Sequence, residues 1–196
     1  MAFNTVLCCL AIGVLIQNVV LMRQNQELRV SSVPREVEPG NQLNDLAAVT
    51  MDGGLAQIVL PASATQRMMV IAMSPGCPHS RASKDNWLGV TERLRGNPAW
   101  KVVWVSRDSV QVTRKYCERN GIPLNYVLAN PTHRTYEQLG LEKVPHMIVT
   151  RSDGRIEKVW RGRLDSRMLS DVSNYLNISR EVSTTATMPV LSFTRN

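Results

Sequence analysis

The residues best equipped for chemistry gather in one short stretch, Ser74-Pro75-Gly76-Cys77-Pro78-His79-Ser80. The apolar run Met68 to Met73 leads into it, and a polar, helix-compatible segment from Pro78 to about Arg95 leads out. This spacing predicts that Cys77 sits where a buried strand passes into a helix N-terminus. The first turn of a helix presents unpaired N–H groups and the positive end of the macrodipole. A sulfur placed there is held better as thiolate than as thiol. Pro78 suits the first helical position, where its missing N–H is not needed. A protonated His79 adds positive charge beside the sulfur. Such a sulfur is a nucleophile, suited to thiol–disulfide exchange or to oxidation through a sulfenic acid. Ser80 stands three residues on, and its hydroxyl is expected to donate a hydrogen bond to the Cys77 thiolate. A hydroxyl cannot form a disulfide, so a mixed disulfide at Cys77 would need an outside thiol to resolve it.

Cys77-Pro78-His79-Ser80 reads as a C-x-x-C motif whose second cysteine has become serine. Downstream lie Lys143-Val144-Pro145-His146-Met147-Ile148-Val149 and then Ser152-Asp153-Gly154-Arg155. Together these stretches resemble the TlpA/ResA-like membrane-anchored redoxins of the thioredoxin superfamily, which carry an AhpC/TSA-type redoxin domain. The Pro-His dipeptide is similar to that of periplasmic disulfide oxidases. The resemblance runs roughly from Asn41 to Asn177. It implies an α/β thioredoxin-like fold with a mixed central sheet flanked by helices. It also implies a cis Val144–Pro145 peptide beside Cys77, leaving the Val144 backbone to pair with an extended substrate. Val144 and Pro145 are then the substrate-binding residues, and Cys77, Pro78, His79 and Ser80 the catalytic ones. His146 either borders the groove or is exposed without a role.

The other cysteines are Cys8, Cys9 and Cys117. Two globular cysteines are too few for a disulfide framework. His79, His133 and His146 are scattered, so no metal site is expected, nor any cofactor. The formal charge of +7 raises a nucleic-acid reading, but the arginines are spread along the chain without aromatic interleaving. A solvated basic surface is the expectation, with an acidic partner or an anionic membrane face left open. Aromatic residues make up only 5% of the chain, so the core must rest on Val, Leu, Ile and Met.

The predicted organisation has four parts: an anchor over 1–22, a polar stalk over 23–40, the redoxin domain over 41–178 and a flexible tail over 179–196. Val6 to Met22 is apolar apart from Gln17 and Asn18, close to the minimum bilayer span. It lacks a charged n-region and an Ala-x-Ala site, which favours an uncleaved single-pass anchor over a signal peptide. Arg23, Arg29 and Arg35 would place the domain in the cytoplasm by the positive-inside rule. The resemblance implies the extracytoplasmic side, and that is the placement adopted.

Within the domain, Leu46–Val49 and Gln57–Leu60 flank Asp52-Gly53-Gly54 as a hairpin. Met68 to Met73 lacks alternation and suits a strand buried on both faces. The helix after Cys77 should bury Trp87, Leu88 and Leu94. Lys101 to Ser106 should be a strand parallel to the first. A helix over 109–120, capped by Asp108 or Ser109, puts Cys117 on its inner face as a core thiol. A strand over 125–129, a short helix over 132–139, a hairpin of Met147–Thr150 with Ile156–Trp160, and a helix from Asp165 through Asn177 complete the series. The order is that of an α/β fold with a mixed sheet.

Function follows from Cys77. The reading preferred here is a monothiol oxidoreductase with a protein or small-thiol partner. A one-cysteine peroxidase is the alternative: Ser74 fits the Pro-x-x-x-Thr/Ser-x-x-Cys pattern of peroxiredoxins, but Val70 stands where that pattern has proline. A non-catalytic binding or maturation module, its redox pair lost at Ser80, is the third reading.

Overall fold

The computed structural model describes residues 17–18, 36–44, 46–61 and 63–176. The chain divides into two units, Met1–Val37 and Glu38–Asn196. Of the expected anchor only Gln17 and Asn18 are described, both helical and exposed; the rest of Val6 to Met22, most of the stalk and the tail lie outside the described residues. Among the described residues, no helix is long and apolar enough to cross a membrane.

The second unit is built on a seven-stranded mixed sheet in the order β2-β1-β5-β4-β3-β6-β7. Its centre is β3 (Arg67–Met73), where every residue after Arg67 is fully buried. An unbroken apolar run suits a strand covered on both faces. β4 (Trp100–Ser106) pairs parallel to β3, as expected, and β5 (Val127–Ala129) pairs parallel to β4. On the other side β6 (His146–Arg151) runs antiparallel to β3, and β7 (Ile156–Arg161) antiparallel to β6. β1 (Ala47–Thr50) closes the far side against β5, with β2 (Leu55–Gln57) at its edge.

Among the described residues, four helices accompany the sheet: α1 (Pro78–Leu94), α2 (Val110–Arg119), α3 (His133–Gln138) and α4 (Ser166–Tyr175). Three have side-chain caps, each satisfying an N–H the helix leaves open. Ser109 accepts from Val112 N–H, Thr132 from Thr135 N–H and Asp165 from Met168 N–H. α1 is the exception: Cys77 occupies its N-cap position without a side-chain cap bond. One face of β3 supplies Met69, Ile71 and Met73 to a core with Trp87, Val90 and Leu94 of α1, Cys117 of α2 and Val172 of α4. Trp87 meets Trp104 edge to face at 5.7 Å, and Trp104 Nε1 donates to Thr91 Oγ1 at 3.1 Å.

Three expectations shift. The second hairpin strand begins at Leu55 rather than Gln57, because Thr50 N–H bonds Gly54 O at 2.8 Å and closes the turn early. The strand placed over 125–129 is shortened to 127–129, since Leu124–Tyr126 winds into a 3-10 turn after Pro123. Leu88 is half-buried rather than buried, and Ser80, Ser83, Val90 and Thr91 join Trp87 and Leu94 on the inner face of α1.

Candidate active site

β3 delivers the chain to the site, and a tight turn reverses it into α1. Cys77 N–H donates to Ser74 O at 3.0 Å, and Gly76 N–H donates to Ser74 Oγ at 3.2 Å. Pro78 fills the first helical position, and no acidic residue lies in the first turn. Cys77 has extended backbone angles (φ −82°, ψ 122°), as an N-cap residue does. Its sulfur therefore stands at the open, positive end of α1. Cys77 is half-buried, while Gly76, Pro78 and His79 are exposed. Expectation and structure agree on where this cysteine lies.

Ser80 differs from expectation. Its hydroxyl is wholly buried and accepts from Ser74 N–H at 3.2 Å. The serine thus closes the turn beneath the cysteine rather than bonding its sulfur. The Cys77 thiol donates instead to Val144 O at 3.6 Å. A carbonyl oxygen accepts from a thiol and offers nothing to a thiolate; the N–H groups of the α1 end do the opposite. The thiol form therefore has a partner in Val144 O, and a thiolate would face the α1 end, where the sulfur makes no cap bond.

Val144 ends a 3-10 turn over Leu141–Lys143, and the Val144–Pro145 peptide is cis, as the resemblance implied. Pro145 O accepts from Gly162 N–H at 2.8 Å, which ties the loop to the end of β7. His146 is not the exposed residue that one reading allowed. It is 4% exposed, with Nε2 2.7 Å from Leu139 O and Nδ1 3.2 Å from Lys143 O. Burial pushes its pKa below the usual histidine value, the two backbone carbonyls oppose that, and Arg161 adds to it. Its position at the first residue of β6, opposite Ala72 of β3 and Arg161 of β7, places the ring under the loop.

Arg107 is a residue that the sequence did not single out. Its backbone N–H donates to Met73 O at 3.1 Å, and its Nη1 donates to Glu142 O at 3.1 Å. It joins the end of β3 to the Leu141–Lys143 turn. Neither His146 nor Arg107 has a local signal for this work, because both partners are backbone atoms distant in sequence or revealed only by the loop's shape.

Cys117 is fully buried in the core, and burial pushes its thiol up to about 11. It is the inert core thiol predicted from its helix face. His133 is exposed and pairs with Glu137 at 3.2 Å. Among the described residues no group of three His, Cys, Asp or Glu side chains could hold a metal ion.

No protein-family model matches the chain, and no curated protein sequence does. Solved structures do match it. StoA from Bacillus subtilis superposes with a TM-score of 0.55 at 13% identity, over 70% of this chain and 99% of that one. A thiol:disulfide interchange protein from a Bacteroides species gives 0.57 at 15% identity, over 74% and 94%. A secreted Mycobacterium tuberculosis disulfide oxidoreductase, homologous to Escherichia coli DsbE, gives 0.51 at 14% identity, over 67% and 93%. The chain has the thioredoxin fold.

Proposed function

We propose that this thioredoxin-fold chain is a thiol–disulfide oxidoreductase acting through a single motif thiol, Cys77. The observation that carries the reading is the placement of one half-buried sulfur at the uncapped N-terminus of α1, 3.6 Å from the carbonyl of Val144 beside cis Pro145. The Cys77 thiolate attacks one sulfur of a partner disulfide. The partner's S–S bond breaks, its second sulfur leaves with the electron pair and takes a proton from water, and a mixed disulfide forms at Cys77. A thiolate from a small thiol or a protein then attacks the mixed disulfide and releases Cys77. Ser80 takes no part in that second step, because oxygen does not replace the missing sulfur. Pro78 and His79 flank the sulfur on the open side, and Val144 and Pro145 line the approach of the partner. Electrons come from the thiol partner, and the reaction calls for no cofactor.

The reading includes a single-pass anchor at Val6 to Met22 and a domain outside the cytoplasm. The apolarity of that run and the fold shared with a secreted oxidoreductase support it. Membrane fractionation with protease protection tests this part. Recovery of the full chain in the soluble cytosolic fraction would overturn it.

The chemical test uses the purified chain and a small disulfide. One adduct should form on Cys77, added thiol should remove it, and Cys77→Ser should abolish it. Peroxide consumption that outpaces exchange would overturn the reading in favour of a one-cysteine peroxidase, and absence of both activities would leave a binding module.

A further inference from the structure

Two carbonyl oxygens converge on the buried ring of His146, one from each end of the loop that precedes Pro145. Leu139 O lies at the end of α3, 2.7 Å from Nε2, and Lys143 O lies immediately before Val144, 3.2 Å from Nδ1. A neutral imidazole has one N–H to give. Assigned to the shorter contact, that N–H is Nε2–H, which donates to Leu139 O and leaves Nδ1 facing Lys143 O. The loop between these two carbonyls leads directly into Val144, whose own carbonyl receives the Cys77 thiol. Other groups hold it as well: the side chains of Leu139 and Leu141 are fully buried, Gly162 N–H binds Pro145 O, Arg107 Nη1 binds Glu142 O, and Lys143 N–H binds Gly140 O.

We infer that His146 is the positioning residue of the partner-binding loop, holding the Val144 backbone at the distance from Cys77 that exchange with a polypeptide disulfide requires. The inference rests on the proposed exchange function and adds how the partner surface is set. His146 touches neither the sulfur nor the partner. It acts through Leu139 and Lys143, and through them on Val144.

The charged groups around the ring bear on its protonation. Arg161 faces it from β7 and disfavours the charged ring. Ala72 of β3 brings no charge. On the loop, Glu142 is exposed and Lys143 is exposed, and on α3 Glu137 is occupied by His133. A second proton on the ring would convert the Nδ1 contact with Lys143 O into a donated hydrogen bond, so acidification should alter exchange through the loop.

The test separates reactions that need the loop from one that does not. Wild type, His146→Leu and His146→Gln are compared on two reactions of Cys77: alkylation by iodoacetamide and exchange with a cystine-containing peptide. A glutamine amide can donate to Leu139 O from much the same place as Nε2. In His146→Leu, peptide exchange should fall about tenfold while alkylation stays within about twofold, since a lost hydrogen bond of about 1.4 kcal/mol is a tenfold change. His146→Gln should recover most of the peptide rate, and the ratio of its exchange rate to its alkylation rate, in which the thiolate fraction of Cys77 cancels, should lose the wild-type dependence on pH below about 6.5. Equal losses in both reactions, or no loss in either, would overturn the inference. If wild type fails to exchange with the peptide at all, the function proposed above falls instead. A thermal melt of each variant identifies any that does not fold; should His146→Leu be one, the pH dependence of the rate ratio in His146→Gln carries the comparison, and a dependence unchanged from wild type would overturn the inference.

Discussion

In the proposed exchange, Ser80 is the residue that separates this site from a dithiol pair. It occupies the place of a second sulfur, yet its hydroxyl closes the turn onto Ser74 N–H. Ser80→Ala should cost about 1–3 kcal/mol in urea unfolding, because a buried N–H loses its acceptor. Ser80→Cys should restore an internal resolving thiol. Non-reducing mass analysis of the oxidised variant should show a disulfide between Cys77 and the introduced sulfur, and a mixed disulfide with a partner should become short-lived. Persistence of the mixed disulfide in that variant would show that the site geometry does not support resolution. His146 gives a pH signature of its own. Its folded pKa lies below the unfolded value near 6.5, so its stability contribution is complete above about 6.5 and is lost as pH falls through the folded value. Unfolding free energy should decline in that acid range by at most about 1.4 kcal/mol per pH unit from this group, and His146→Gln should flatten the slope. Cys117 behaves oppositely: its thiol is raised to about 11 from 9.0, so its contribution is present below about 9 and is lost as pH rises through about 11. Alkaline unfolding should therefore be delayed in Cys117→Val.

At the scale of elements, α1 does two tasks. Its N-terminus presents Cys77, and its inner face anchors the strand that precedes it. Trp87→Ala should cost about 3–5 kcal/mol, measured by urea unfolding, because the ring packs against Trp104 in the core. Ser83 and Asn86 fix α1 to the segment after β7 through Leu164 N–H and Leu164 O at 2.8 and 2.6 Å, so the same helix also steadies the chain beyond Gly162. Gly154 in the β6–β7 turn has φ +83°, and a Cβ there would overlap Leu43 O. Gly154→Ala should lower stability by more than about 1 kcal/mol in the same measurement. Most elements were legible in the sequence because each carries its own punctuation. The uninterrupted run Met68–Met73 marked the buried strand, Pro78 marked a helix start, and Asp108 or Ser109, Thr132 and Asp165 marked the starts of α2, α3 and α4. The register of the β1–β2 hairpin was not legible, because Asp52-Gly53-Gly54 permits more than one closure. The 3-10 turn at Leu124 was hidden by β-favouring Tyr126 and Val127. At the site, Cys77 and Pro145 announced themselves through motif and spacing. The roles of Ser80, Arg107 and His146 did not, since each is defined by a backbone partner that only the folded loop brings near.

At the scale of the molecule, a sheet with β3 at its centre brings two distant stretches together: the turn after β3 and the loop before β6. The antiparallel pairing of β3 with β6, Ala72 opposite His146, is what sets Cys77 beside Val144 across 67 residues of sequence. The chain carries a formal charge of +7. Encounter with an anionic disulfide should therefore be faster at low ionic strength and slow as salt is added, with the reverse for a cationic disulfide. Stopped-flow rates at two salt concentrations check the sign. In the proposed function the fold, through the open end of α1, makes Cys77 a better nucleophile than the same residue in a disordered chain. Glutathione disulfide is the probe, and peptide mapping reads each cysteine separately in the native protein and in the urea-unfolded protein at one pH. Cys77 should react faster in the native state than when unfolded, on the order of tenfold or more, while native Cys117 stays unreacted. A native Cys77 that reacts no faster than its unfolded counterpart would contradict it.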